Sequence, residues 1–291
     1  MMEEKKLPLI VVGVDGSEDG LRAVRFGAGT SLAFGTELLL VHAVDDAMLA
    51  GAWGVVYDPE VLQNAGATAN EQAKEVALEM GVPEDRLRTE VVLGSPGGVL
   101  GRLSEVADLI VVGRRSVSGL ERMFVGSTSV SVVANAACPV VVISAASTPK
   151  PVGGLGLVGV GLNTSPGKHE TLEEAFKYAK RQNARLEIVH ALQPPIGIFG
   201  PKMSPDELEE QLEFTRGGIE AVAKSMAEKY PEVAYEVVVV ADSPINELVS
   251  RSARYDMLVL GTSDSGIPGF GLGGLLRGLM AHASCPLLII D

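Results

Sequence analysis

Short motifs in the first half of this chain return 148 residues later, and that spacing constrains the fold more than any other feature. Val12-Gly13-Val14-Asp15-Gly16-Ser17 is answered by Val160-Gly161-Leu162-Asn163-Thr164-Ser165, and Leu40-Val41-His42-Ala43 by Ile188-Val189-His190-Ala191. Ser95-Pro96 returns as Ser243-Pro244, and Asp108-Leu109-Ile110-Val111-Val112-Gly113 as Asp256-Met257-Leu258-Val259-Leu260-Gly261. Only Cys138-Pro139 comes back at 147, as Cys285-Pro286, so one residue is lost between Gly261 and Cys285. A register held over a whole half marks a duplicated unit that folds the same way twice. The halves are therefore 1–147 and 148–291, with a Pro/Gly/Ser-rich linker over 145–154. Each half is long enough to bury its own core.

Within the first half, apolar runs over 9–14, 38–43, 88–93, 109–113 and 140–143 read as strands. They are nearly continuous in apolar residues, as strands covered on both faces must be. Between them lie helical patterns. Leu21, Val24, Ala28 and Leu32 line one predicted helix face; Val61, Leu62, Ala65, Ala69, Ala73 and Val76 line the next. Asp58-Pro59, Ser95-Pro96 and Ser243-Pro244 each set a capping residue before a helix-opening proline, and Ser204-Pro205-Asp206-Glu207 is a capping box. Gly81 followed by Pro83 supplies a stop. Strands alternating with helices predict an α/β fold: two tandem, doubly wound, five-stranded parallel-sheet domains of Rossmann-like type. Such sheets bind ligands at the carboxyl ends of their strands, where the winding reverses.

Several function classes drop out. A formal net charge of −13 does not make a nucleic-acid surface, which needs clustered Lys and Arg. The apolar run over 7–14 is too short to span a membrane, and no small-residue cleavage site follows it, so a cytoplasmic protein is expected. Cys138 and Cys285 lack Cys-x-x-Cys spacing, and His169 and His282 lack ligand neighbours, so neither a redox pair nor a metal site is predicted. His42 and His190 share one repeat position at a strand end, read as scaffold or pocket lining. Trp53 and Tyr57 read as a lid, a partner contact or simple packing.

The chemistry gathers after the fourth strand. Gly113-Arg114-Arg115-Ser116 leads, nine residues on, to Gly126-Ser127-Thr128-Ser129, which opens a helix running to about Ala136. Gly113 lets the chain turn off the strand tip. The helix start offers unpaired N–H groups, and Ser and Thr hydroxyls add donors. Arg114 and Arg115 can bring charge to the same phosphates. Two Gly-x-Gly-x-x-Gly strings, 154–159 and 269–274, stand in the wrong context for a dinucleotide site. Lys202-Met203-Ser204 matches only a fragment of a synthetase signature, and neither a P-loop nor an ATP-pyrophosphatase loop is present.

With these residues the chain resembles a tandem member of the universal stress protein family, whose ATP motif is Gly-x-x-Gly, nine residues, then Gly-Ser/Thr. The resemblance covers both halves. It implies that Asp15 and the backbone of Val14 and Ala43 hold adenine and ribose, and that Gly113, Arg115, Gly126, Ser127 and Thr128 hold the phosphates. The implied ligand is ATP, with or without Mg²⁺. Ser116 departs from the motif at its second glycine. The second half departs further: Asn163 replaces the aspartate, Asp264 takes the second glycine position, and Gly273-Gly274-Leu275 replaces Gly-Ser. That half reads as a degenerate nucleotide site. The family also implies that the halves pair through their last strands as an internal pseudo-dimer, with a homodimer of chains left open. The expected function is regulatory: an ATP-binding stress-response module acting through conformation or an unknown protein partner. Two alternatives stand beside it, a slow ATPase or phosphoryl or nucleotidyl transferase, and a nucleotide-free interaction module. Fast hydrolysis needs a water-positioning group and carboxylates for Mg²⁺, and the loop sequence shows neither. No catalytic residue is assigned.

Overall fold

A computed structural model describes residues 8–45, 59–114, 125–144, 146–147, 156–163, 168–193, 203–262 and 273–290, without side chains for 59–63 and 168. Arg115, Ser116, Trp53, Tyr57, Asp58 and Asp264 lie outside these residues. The chain divides into two compact units, Met1–Val152 and Gly153–Ile290, a boundary inside the Pro/Gly/Ser-rich stretch.

The first unit runs β1 (Leu9–Gly13), α1 (Glu18–Phe34), β2 (Glu37–Val44), α2 (Pro59–Glu79), β3 (Leu87–Leu93), α3 (Pro96–Leu103), β4 (Leu109–Gly113), α4 (Ser127–Asn135) and β5 (Val140–Ile143). Its strands lie in the order β3-β2-β1-β4-β5, every pair parallel. The second unit repeats the plan with β6 (Leu157–Gly161), α5 (Lys168–Gln182), β7 (Arg185–Ala191), α6 (Pro205–Lys229), β8 (Tyr235–Val240), α7 (Pro244–Ser252), β9 (Met257–Gly261), α8 (Gly274–His282) and β10 (Leu287–Ile290). Its order is β8-β7-β6-β9-β10, again parallel. In each unit the first strand sits between the second and the fourth. The winding reverses there, so a crevice opens above the tips of β1 and β4, and of β6 and β9.

Side chains on the inner strands are buried with little alternation, as both faces carry helices. The outer strands β3 and β8 are largely exposed or half-buried, because a sheet edge is covered less completely. Two helix faces differ from the sequence expectation. On α1 the inward stripe passes through Leu21, Val24, Ala28 and Ser31, leaving Leu32 exposed. Leu32 lies one residue, or about 100°, beyond that stripe. On α2 the buried stripe is Gly66, Ala69, Asn70, Ala73 and Ala77, while Ala65 faces out. Capping also divides. Ser204 accepts from the Glu207 N–H and its own N–H reaches the Glu207 carboxylate at 2.7 Å, a complete capping box. Ser95 and Ser243 have the extended backbone of an N-cap but make no side-chain capping bond. There the prolines at the first helical position remove one orphan N–H instead. Gly81, at φ +96°, ends α2 as expected.

Each unit carries the same pair of polar clamps. Asp108 Oδ2 accepts from Leu9 N–H at 2.7 Å, and Asp256 Oδ2 accepts from Leu157 N–H at 3.0 Å. Ser104 Oγ accepts from Ala137 N–H, and Ser252 Oγ from Ser284 N–H, both at 2.8 Å. Each clamp satisfies a backbone donor that no ladder reaches.

The outer strand of the second unit has a further device. Ala234 and Val240 carbonyls face β7, accepting from Leu186 and Leu192 N–H groups. The carbonyls of Val237 and Val239 alternate to the open side, and Arg216 of α6 donates to both, at 3.3 and 3.4 Å.

Candidate functional site

The first unit's crevice is built by three close approaches. After β1 the chain continues one residue in register, Val14 N–H donating to Val41 O at 2.8 Å. It then turns at Gly16, φ +74°, a conformation glycine adopts without strain. The turn delivers Asp15, whose Oδ1 accepts from Ser17 N–H at 2.9 Å and Ser17 Oγ at 2.5 Å. Ser17 in turn caps α1 by accepting from Gly20 N–H at 3.0 Å. Asp15 is exposed, yet its carboxylate is aimed.

Glycines then allow the rest of the site to close on this turn. A Cβ on Gly20 would stand 2.6 Å from Asp15 Oδ1. A Cβ on Gly113 would stand 2.5 Å from the Asp19 carbonyl and 2.7 Å from Gly20 N. Gly113 is thus required for backbone-to-backbone approach, not for a left-handed turn, since its φ is not positive. Ser129 closes the series: its hydroxyl donates to Gly113 O at 3.2 Å, tying α4 to the β4 tip. Gly126 is the N-cap of α4 and makes no side-chain capping bond. Ser127 at the first helical position is exposed and Thr128 is half-buried. Asp15, Gly113 and the α4 start are therefore linked residue to residue. Val14 and Ala43 flank the neighbouring β1–β2 gap, at the ends of paired strands.

Asp19 and Gly20 line the crevice at positions that sequence reasoning missed. Asp19 is 1% exposed, paired with Arg22 at 2.6 Å, and sits against Gly113. Burial pushes its carboxyl upward, opposed by the hydrogen bond and charge of Arg22 and the charge of Arg114; Asp15 adds to the rise. Arg114, expected to reach phosphates, is itself buried, and its charge acts on Asp19. The only sequence signal was an acidic residue in the first turn of a helix, which usually means a solvated dipole partner.

The second unit keeps the frame and loses the fittings. Leu162 N–H donates to Val189 O at 2.9 Å, as Val14 does to Val41. Asn163 stands for Asp15, and Lys168 stands for Gly20. Helix α8 starts after Gly273, so the lost residue lies between Gly261 and Gly273, and Thr128 and Ser129 are matched by Leu275 and Leu276. Leu276 is fully buried, so the tie from Ser129 to the strand tip has no counterpart.

Comparison with known proteins settles the family. The model of the universal stress protein family matches residues 8–144 and again 157–291. The chain belongs to the universal stress protein family. A universal stress protein of Mycobacterium tuberculosis (strain ATCC 25618 / H37Rv) is 30% identical over 97% of this chain and 95% of its own length. The solved structure of a universal stress protein from Archaeoglobus fulgidus DSM 4304 covers 97% of this chain and 98% of its own, with 15% identity and a TM-score of 0.67. That likeness establishes the two-unit fold. A universal stress protein from Archaeoglobus fulgidus has been solved in complex with dAMP; it spans 47% of this chain and 97% of its own, at 22% identity and a TM-score of 0.34, and its ligand is a fact about that protein.

Burial pushes the thiol of Cys138 up to about 11 and that of Cys285 up to about 12, so neither is a nucleophile near neutrality. Among the described residues no group of three or more His, Cys, Asp or Glu is placed to hold a metal ion. Nor is any described helix long and apolar enough to cross a membrane.

Proposed function

We propose that the first unit of this universal stress protein binds an adenine nucleotide, ATP above all, in the crevice over β1 and β4. The observation that carries the reading is the unbroken line Asp15–Gly20–Gly113–Ser129, which joins an aimed carboxylate to a helix start with no side-chain cap. A carboxylate, with its two acceptor oxygens, suits the two ribose hydroxyls. Helix N–H groups with the Ser127 hydroxyl suit phosphate oxygens. In this reading Val14 and Ala43 present backbone to the base, while Gly113, Gly126, Ser127 and Thr128, with Arg115 and Ser116, surround the phosphates. Mg²⁺ would accompany the triphosphate, held by phosphate oxygens more than by protein. Asp19 is the carboxylate beside Gly113, but it is buried and engaged by Arg22.

The same fact weighs against turnover, because a catalytic carboxylate must reach water or metal. The chain is therefore read as a cytoplasmic regulatory module whose first unit holds nucleotide. A partner protein would read the bound state. The test is direct: denature purified protein and identify released nucleotide by mass spectrometry, for wild type, Asp15→Ala and Gly126→Val. Adenine nucleotide from wild type and little from the variants is the expected result. Wild type that neither carries nor takes up nucleotide sinks the reading.

A further inference from the structure

The two histidines at the shared repeat position behave differently, and the difference lies at the β1–β2 gap. In the second unit the register sets Leu162 beside His190, and His190 Nδ1 bonds the Leu162 carbonyl at 2.8 Å. That histidine is a closed scaffold element. In the first unit the register sets Val14 beside His42, but Nδ1 of His42 is buried and has no hydrogen-bond partner among the described residues.

Helix α2 explains the contrast. A Cβ on Gly66 would stand 2.7 Å from His42 Cδ2 and 3.3 Å from Cγ and Nε2. The helix backbone therefore lies against the Cδ2–Nε2 edge of the ring and leaves Nδ1 on the far edge. On α6 the inward face runs at an offset of 146, Ala73 and Ala77 being answered by the buried Ile219 and Ala223. Gly66 is thus answered by Leu212, which is half-buried. A leucine cannot bring helix backbone onto the ring as a glycine does, and His190 bonds its own strand neighbour instead. The glycine holds His42 in an orientation in which its Nδ1 goes unserved.

An imidazole nitrogen out of water without a partner is an unmet hydrogen bond. It lies one residue from Ala43 and across the ladder from Val14, the two positions that the proposed function assigns to the base. We propose that His42 is a base-recognising residue of the first unit, its Nδ1 hydrogen-bonding the nucleobase and its ring locked by Gly66. An imidazole can donate or accept there by choice of tautomer, and a purine edge offers both complements. This inference rests on the nucleotide reading and refines it.

The test uses full-length protein and calorimetric titration with ATP and, separately, inorganic tripolyphosphate. His42→Leu is expected to weaken ATP about tenfold and leave tripolyphosphate unchanged, the size of one lost hydrogen bond to ligand. Gly66→Ala, which touches the ring but not the ligand, is expected to weaken ATP several-fold. Equal ATP affinity in wild type and His42→Leu overturns the role of His42 while the nucleotide site stands. Equal losses for ATP and tripolyphosphate overturn it too, since the effect is then on the whole site. If wild type binds tripolyphosphate but no adenine nucleotide, the underlying reading fails and this one with it. Should His42→Leu not fold, histidine ¹⁵N resonances of wild type decide: ATP must shift His42 Nδ1 and leave His190 unmoved.

Discussion

Set side by side, the two units keep the same frame and differ in what fills it. The Asp108 and Asp256 clamps, and the Ser104 and Ser252 clamps, recur atom for atom. Around β2 and β7, however, the fillings diverge. Leu39, Leu103, Val106 and Ala107 in the first unit become Glu187, Arg251, Arg254 and Tyr255 in the second. Glu187, nearly buried, accepts from Arg251 at 2.8 Å, from Arg254 at 2.6 Å and from the Tyr255 hydroxyl. The Tyr255 ring lies on Gly159, where the first unit has Val11. Phe176, Tyr230 and Tyr235 form an aromatic cluster where the first unit has Ala28, Val82 and Leu87. One copy put polar design into a crevice and the other into its core. Both copies keep the backbone clamps, but only the first keeps the Asp15 carboxylate and a glycine at the Gly20 position.

The largest expected effect that can break this comparison is at Gly113. Gly113→Ala sets a methyl 2.5 Å from the Asp19 backbone, and neither wall is a flexible side-chain end. Loss of about 3 kcal/mol of stability is expected, as for other overpacking against backbone. Retained nucleotide should fall below detection by mass spectrometry. Urea melts of the variant at unchanged midpoint contradict the close-approach role.

Next comes the charged core of the second unit. Glu187→Leu alone strands Arg251 and should cost about 2–3 kcal/mol, below the usual range for a broken buried pair because Arg254 is half exposed. Adding Arg251→Leu, Arg254→Val, Tyr255→Ala and Gly159→Val copies the first unit and should recover that loss. Four of the five tyrosines lie in the second unit, so near-UV circular dichroism follows it. Failure of the transplant to recover stability shows that the network does more than fill space.

The same network makes a pH prediction. Burial alone would raise the Glu187 carboxyl, but the bonds from Tyr255 and Arg251 and the charges of Arg254 and Arg251 outweigh it and hold it below the ordinary glutamate range. A lowered folded value means stability is in place above the unfolded value and lost as pH falls through the folded one. The second unit's melting midpoint should therefore drop on acidification below the ordinary glutamate range. In the five-residue transplant that slope should flatten.

The smallest effects concern single bonds. Ser129→Ala removes the tie to Gly113 and should cost about 1 kcal/mol with a several-fold loss in nucleotide affinity. Ser204→Ala opens the capping box of α6 and should cost about 1 kcal/mol without touching nucleotide. If calorimetry finds both variants alike in affinity, the Ser129 tie is not part of the site.

Much of the frame was legible from residues alone. Runs such as Leu38 to Val41 admit only a strand covered on both faces, and the 148-residue register doubled each observation. The Ser204 box was legible because its partners lie three residues apart. The candidate site's frame was legible only where its signal is local, as in the Asp15 turn and the Gly126 helix start. Asp19, Gly20 and Gly66 were not, because their meaning depends on which helix seats against which strand tip, across 20 to 100 residues of chain. His42 and His190 looked identical for the same reason: the residue that separates them stands 24 positions away on another element.

One border of the second unit carries a last consequence. A terminal strand with bare carbonyls recruits any extended peptide that drifts past it. On β8 the guanidinium of Arg216 already occupies the outward oxygens of Val237 and Val239, so an incoming strand must first displace a cation. Two of the acceptors that a pairing strand would need are thereby engaged from within the chain, so the edge of the copy without the crevice fittings is guarded by its own helix.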